Sequence, residues 1–286
     1  MRVALGQYAV APTWQENLAV CGRFVRQCVS RGANLLVLPE GVLARAIDDP
    51  GLVRRAAQPL DGDYVQGVRD LTRDNSLTVV AVVHVPSDGG MVRNTSIVVR
   101  GGDLVATYQK LHLYDAFNAR ESRAVVPGDE VPRLVEVDGW RVGLMTCYDV
   151  RFPEAARRLA LDGADLLVLP AAWVRGPMKE HHWSVNVTAR ALENTVYVAA
   201  VGECGPRNIG RSMVIDPLGV TLAGAGESEE LLFADLSPER LAYARETLPV
   251  LKNRRYSDPV LRPAPTGADA APHAARNHGH VWAVRA

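Results

Sequence analysis

NLLVLPEGV, residues 34–42, joins a run of leucine and valine to a proline and then to a glutamate, Glu40. The run has no polar alternation, which marks a strand covered on both faces rather than on one. A near copy, DLLVLPAAW, occupies residues 165–173 and carries Ala171 where the first carries Glu40. A strand of this kind therefore needs no carboxylate at its end, and Glu40 requires a chemical reason.

Outward from these two strands the pattern repeats. Before the first, Thr13 and Glu16 make a capping box that opens an amphipathic helix running to about Arg31 and closed by Gly32. Before the second, FPEAARRLALDGA places Pro153 in a first helical turn and Gly163 at its end. Residues 2–9, LTVVAVVHV (77–85), WRVGLMTCYD (140–149), VYVAAVGE (196–203) and LLFADL (231–236) read as further strands. NTSIVVR and LVATYQKLHL read as a pair around the GGD turn at 101–103, and DPLG turns between two more strands. Helical patterns cover residues 60–75, 179–194 and 238–246. The alternation, with GA(N/D)LLVLP present twice, predicts an α/β fold made from a duplicated unit, its two sheets packed together with helices outside.

The chain of 286 residues is 48% hydrophobic, enough for a large core, and is read as one domain over 1–258. Its 32 basic residues balance 32 acidic ones, so charge gives no reason to expect nucleic acid or a membrane as partner. No apolar run approaches the roughly 20 residues of a spanning helix. The N-terminal stretch lacks the sustained apolar core of a signal peptide, and the expected location is cytoplasmic. Cys21, Cys28, Cys147 and Cys204 form no C-x-x-C spacing and are expected as reduced thiols. Residues 259–286, rich in Pro, Ala, Gly, Asn and His, are expected to be a mobile tail. His181 and His182 are helix neighbours pointing roughly 100° apart, a poor pair for one metal ion. GAGESE (224–229) lacks a third glycine and no Walker lysine occurs, so neither metal nor cofactor is expected.

Glu40, Lys110 and Cys147 each close an apolar strand, where ligand sites of α/β folds gather. A cysteine at a strand-to-helix turn can have its thiolate stabilised by the turn's N–H groups and by a cation such as Lys110. A carboxylate beside them can take the thiol proton and return it to a departing amine. Lys110 and the backbone N–H of Tyr148 could then hold an oxyanion. Read alone, Cys147 could equally be a small buried apolar residue, and Asp149 and Arg151 an ion pair fixing the turn.

LPEGV with Glu40, YQKLHLYD with Lys110 and GLMTCYDVRFPE with Cys147 together resemble the nitrilase superfamily of carbon-nitrogen hydrolases, over residues 1 to about 257. KLHLYDAFNARES, LPAAWVRGPMKEHHWS, GECGPRNIG and LPVLKNRR look closest to its bacterial deaminated glutathione amidase branch. The resemblance implies a four-layer α-β-β-α sandwich that forms a homodimer, and a catalytic set of Glu40, Lys110 and Cys147. It also implies a supporting role for Glu121, which by sequence alone would pass for a solvated loop residue. Arg151 could grip an oxo-acid carboxylate, Tyr114, Tyr148 and Trp173 could wall the acyl pocket, and His112 could share the face of Lys110 in an extended strand. The implied substrate is the amide of deaminated glutathione, with 2-oxoglutaramate or an inactive interaction module as alternatives.

Overall fold

The computed structural model describes residues 1–46 and 48–264. Residues 265–286, most of the expected tail with its histidines, lie outside the described residues. The first half runs β1 (Arg2–Gln7), α1 (Trp14–Ser30), β2 (Leu35–Val37), α2 (Leu52–Arg55), α3 (Asp63–Thr72), β3 (Thr78–Pro86), β4 (Val92–Arg100), β5 (Asp103–Gln109) and β6 (Val125–Val126). The second runs β7 (Val135–Val137), β8 (Trp140–Leu144), a 3-10 turn (Cys147–Arg151), α4 (Pro153–Leu161), β9 (Leu166–Ala171), α5 (Lys179–Leu192) and β10 (Tyr197–Gly202). It ends with β11 (Met213–Ile215), β12 (Thr221–Gly224), β13 (Glu230–Asp235), α6 (Pro238–Thr247) and α7 (Val250–Asn253).

The duplication expected from the repeated strand is visible in the topology. One sheet has the order β13-β1-β2-β3-β4-β5 and the other β12-β11-β10-β9-β8-β7. β1, β2 and β3 are parallel, followed by antiparallel β4 and β5. β8, β9 and β10 are parallel too, followed by antiparallel β11 and β12. Each sheet adds one antiparallel strand, β13 on β1 and β7 on β8, the first of these supplied by the second half of the chain.

Three apolar clusters set the four layers. Leu35 and Val37 of β2 meet Leu166 and Val168 of β9 between the sheets. The alternate residues Leu36 and Leu38 face Cys21, Phe24 and Val25 of α1 and Tyr64, Val65 and Val68 of α3. On the far side Leu167 and Leu169 face Leu159 of α4 and Trp183 and Val187 of α5. The unbroken apolar run is thus explained: both faces of the strand are covered, each buried side chain contributing about 1.5–3 kcal/mol.

Helix ends follow the expected chemistry. Thr13 Oγ1 accepts from Glu16 N–H and donates to Glu16 Oε2 at 2.5 Å, which opens α1. Two strand boundaries differ from expectation. β8 stops at Leu144, because the Asp149 carboxylate accepts the Thr146 N–H at 2.8 Å and closes a capping box that bends the chain into the 3-10 turn. β5 stops at Gln109, because the next free N–H groups go to side chains: Leu111 N–H to Tyr108 Oη at 3.1 Å and His112 N–H to Asp149 Oδ1 at 3.1 Å.

Gly202, the last residue of β10, lies against the Gly210 carbonyl oxygen so closely that any Cβ would collide with backbone. Gly202→Ala is expected to cost about 1–3 kcal/mol, read as a lower denaturant midpoint at unchanged slope.

Candidate active site

Glu40 follows β2 at a turn pinned by Gly41 and Val42, whose N–H groups both donate to the Val82 carbonyl at 3.0 and 2.9 Å. Gly41 adopts φ +74°, the left-handed region that glycine enters without strain. The Glu40 side chain is nearly buried, and its two oxygens are held from opposite halves of the chain. Oε1 accepts from Lys110 Nζ at 2.9 Å and from Asn94 Nδ2 at 2.8 Å. Oε2 accepts from the Ala172 N–H at 3.0 Å. The second LLVLP strand therefore supplies a backbone donor where the first supplies the acid.

Lys110 directly follows β5 and is only 1% exposed. Its ammonium donates to Glu40 and also to both oxygens of Glu121, at 3.1 and 2.9 Å. Asn94 of β4 ties the carboxylates together by donating to Glu121 Oε1 as well, at 3.2 Å. Tyr114 N–H donates to Glu121 Oε2 at 2.6 Å. Glu121 lies in a short 3-10 turn, Glu121–Arg123, on the connection between β5 and β6.

Cys147 opens its 3-10 turn with φ +47°, an uncommon conformation for a side chain with a Cβ. Asp149 holds it there: its Oδ2 accepts from Thr146 N–H and from Tyr108 Oη at 2.7 Å, and its Oδ1 meets His112 Nδ1 at 2.7 Å. Thr146 Oγ1 lies 2.9 Å from Ser96 Oγ of β4, which joins the turn to the other sheet. The N–H groups of Cys147 and Tyr148 head the turn, where no intrahelical acceptor precedes them. The thiol lies close enough to the Glu40 carboxylate for each group to shift the other's proton affinity.

The charge state differs from the simplest expectation. Burial alone would raise Glu40, but Lys110, its hydrogen bonds and the Cys147 thiol bring it down to about 2. Burial would lower Lys110, yet Glu40 and Glu121 hold it well above the ordinary lysine range. Cys147 is pushed up, first by burial and then by Glu40, more than Lys110 pulls it down. The resting site is therefore a neutral thiol beside an ionised carboxylate and ammonium, not a preformed thiolate beside a neutral acid.

The remaining residues divide. Tyr148 packs edge-on against Tyr114 and Phe152, with ring centroids 5.1 and 5.2 Å away. Arg151 lies 4.8 Å over the buried Trp173 ring, and Trp173 Nε1 donates to the Lys179 carbonyl at 3.0 Å. Asp149 and Arg151 do not pair with each other: Arg151 instead meets His182 Nδ1 at 3.3 Å. His112 does not share an extended face with Lys110 but stacks on Phe152 at 3.8 Å and braces Asp149.

Sequence reasoning missed Asn94, His84, Arg45, Glu203, Lys179 and the Ala172 N–H. The polar run Asn94-Thr95-Ser96 inside a buried strand was the available signal for the first. Its register partner His84 is driven down to about 4 by burial, Arg45 and Lys110 against the pull of Glu40, so it stays neutral beside them. Arg45 Nη2 donates to the Glu40 carbonyl at 3.1 Å, and Arg45 Nε lies 2.8 Å from Glu203 Oε2. Burial pushes the Glu203 carboxyl up to about 7 although Arg45 and the Val10 N–H oppose it. Among the described residues no group of three His, Cys, Asp or Glu side chains is placed to hold a metal ion.

The family model described as Carbon-nitrogen hydrolase matches residues 2–246. The chain belongs to the carbon-nitrogen hydrolase family. A protein of Escherichia coli O157:H7 named deaminated glutathione amidase is 49% identical to this carbon-nitrogen hydrolase, with 91% of this chain and 100% of the relative covered. Hydrolase Rv0480c of Mycobacterium tuberculosis (strain H37Rv) is 38% identical, with 89% of this chain and 95% of the relative covered. Among solved structures, an amidase mutant from Nesterenkonia sp. AN1 carries the acetamide moiety of fluoroacetamide covalently added at its active site cysteine. It matches with a TM-score of 0.77 at 28% identity over 89% of this chain and 94% of its own. The α-β-β-α architecture of this carbon-nitrogen hydrolase is thus shared with nitrilase-superfamily enzymes.

Asn94→Ala removes a donor shared by two carboxylates. It is expected to lower amide turnover by about 1.5–3 kcal/mol of activation free energy, roughly ten- to hundredfold in kcat. Glu203 gives a pH signature. Its folded value is raised, so its contribution to stability is present below the ordinary carboxylate value of about 4.3 and is lost as pH rises through about 7. Relative to Glu203→Gln, the wild-type denaturant midpoint should therefore fall between about pH 5 and pH 8.

Proposed function

We propose that the protein is an amidase that hydrolyses the amide of deaminated glutathione through a thioester on Cys147, releasing cysteinylglycine and 2-oxoglutarate. The observation that carries the chemistry is the buried Lys110 ammonium between Glu40 and Glu121, with the Cys147 thiol facing Glu40. The choice of substrate is supported by the relative of that name at 49% identity over its whole length.

Glu40, an ionised acceptor beside the thiol, takes the Sγ proton as sulfur attacks the amide carbonyl carbon. The carbonyl oxygen becomes an oxyanion, held by Lys110 Nζ and the Tyr148 N–H. Each such donor is worth roughly 10²–10³ in rate. Glu40 then gives its proton to the amide nitrogen, the C–N bond breaks, and cysteinylglycine leaves with the acyl group still on sulfur. Water attacks the thioester while Glu40, supported by Glu121 across Lys110 and Asn94, accepts a proton. The C–S bond breaks and the proton returns to sulfur. Arg151 is assigned the carboxylate of the 2-oxo acyl group, and Tyr114, Tyr148 and Trp173 the pocket walls.

A cytoplasmic location and a homodimer belong to the same reading. All four cysteines are unpaired, which suits a reducing compartment, and Val185 and Leu192 leave α5 with exposed apolar side chains. Among the described residues no helix is long and apolar enough to cross a membrane.

The test is kcat/KM for deaminated glutathione and for 2-oxoglutaramate. Preference for the first, absent in Cys147→Ala and lowered roughly 10²–10⁴-fold in Glu40→Gln, is the expected result. Preference for 2-oxoglutaramate would make the enzyme an ω-amidase, and cleavage of neither would remove the substrate assignment.

A further inference from the structure

Lys179, the first residue of α5, is a buried cation with no carboxylate paired to it among the described residues. The residue is 3% exposed, and Nζ donates to Tyr114 Oη at 2.7 Å. The ammonium lies 4.1 Å from the Phe117 ring centroid, 5.0 Å from Tyr114 and 5.3 Å from Trp173. Arg151 occupies the same aromatic floor, 4.8 Å over Trp173 and 5.9 Å over Phe117. Among the described residues neither cation forms an ion pair with a carboxylate, and the buried Arg151 Nε has no hydrogen-bond partner at all.

Two like charges held close together, one of them buried, are unfavourable, and attraction to the ring faces offsets only part of that cost. Burial, and after it the Arg151 guanidinium, lower Lys179 from its ordinary value. His182, which meets Arg151 at Nδ1, is itself lowered and can serve as an acceptor without adding charge. An arrangement of this kind is complete only with an anion between the cations. The place lies next to the nucleophile, because Arg151 ends the 3-10 turn that Cys147 begins and Tyr114 packs against Tyr148.

We propose that Lys179 and Arg151 form one anion subsite for the 2-oxo-carboxylate end of the acyl group, with Lys179 the specificity-determining residue that reads the oxo oxygen. The subsite rests on the substrate reading given above. A planar guanidinium matches the two oxygens of a carboxylate, whereas an ammonium is a point donor. With one N–H given to Tyr114, two remain. A 2-oxo acid offers a carboxylate oxygen and the oxo oxygen along one edge, which a single point donor can bridge. An amide lacking the carboxylate would leave both cations unpaired.

The test compares wild type, Lys179→Met and Lys179→Arg on two substrates with the same cysteinylglycine leaving group. One is deaminated glutathione and the other its N-pentanoyl counterpart, which has a neutral acyl chain. Lys179→Met should lose roughly ten- to hundredfold in kcat/KM on the first, mainly through KM, and little on the second, with partial recovery in Lys179→Arg. In parallel, 2-oxoglutarate should protect Cys147 from iodoacetamide in wild type, and roughly tenfold more should be needed in Lys179→Met. Equal losses on both substrates with unchanged protection would overturn the subsite and leave Lys179 a packing residue. Wild-type cleavage of the 2-oxo substrate with no change in the variant would overturn the subsite alone. Wild-type preference for the neutral substrate, with no protection by 2-oxoglutarate, would overturn both the subsite and the substrate reading.

Discussion

Burying a lysine ammonium costs several kcal/mol unless its charge is met where it lies. Lys110 is met by Glu40 from the end of β2 and by Glu121 from a loop turn, with Asn94 of β4 bridging the two acids. Glu40 in turn needs the Ala172 N–H from beyond β9. Each group answers a desolvated charge presented by another, so the two sheets must pack with these strand ends in register. Removing any one partner leaves an uncompensated charge in a dry place, which is why the cluster constrains the fold around it as well as the chemistry.

The same cluster bears on how an acid held down to about 2 can act as a base. Much of what lowers Glu40 is Lys110, which is also the group proposed above to hold the oxyanion. In that proposed mechanism, as negative charge builds on the substrate oxygen, the ammonium is shared with it and its hold on Glu40 weakens. Basicity then rises during sulfur attack, when the proton has to move.

The layers were legible because burial on both faces of a strand is written in composition: LLVLP cannot alternate with polar residues. Glu40, Lys110 and Cys147 were legible as polar residues ending apolar runs. Glu121 was not, since nothing local distinguishes it from a solvated loop acid, and only the family resemblance singled it out. Asn94 and the Ala172 N–H depend on strand register across the chain, and Lys179 on how a loop folds over Phe117 and Trp173, none of which has a local periodicity. The overlong reading of β8 and the extended placement of His112 failed for one reason. Asp149 draws Thr146, Tyr108 and His112 to itself, and a side-chain carboxylate competing for backbone N–H groups leaves no trace in a propensity pattern.

The repeated strand has a consequence for how such a centre can be divided. One Glu40 oxygen is held from its own sheet and the other from the opposite one, so Glu40 sits on a seam and draws its partners from both halves of the chain. Two identical half-chains, each meeting the other's LLVLP strand in this way, would present two equivalent seams, each with its own glutamate. The fused chain keeps one. With Ala171 in place of a second acid, the other strand end carries no carboxylate and serves as a fixed backbone donor, an asymmetry that a symmetric pair could not have.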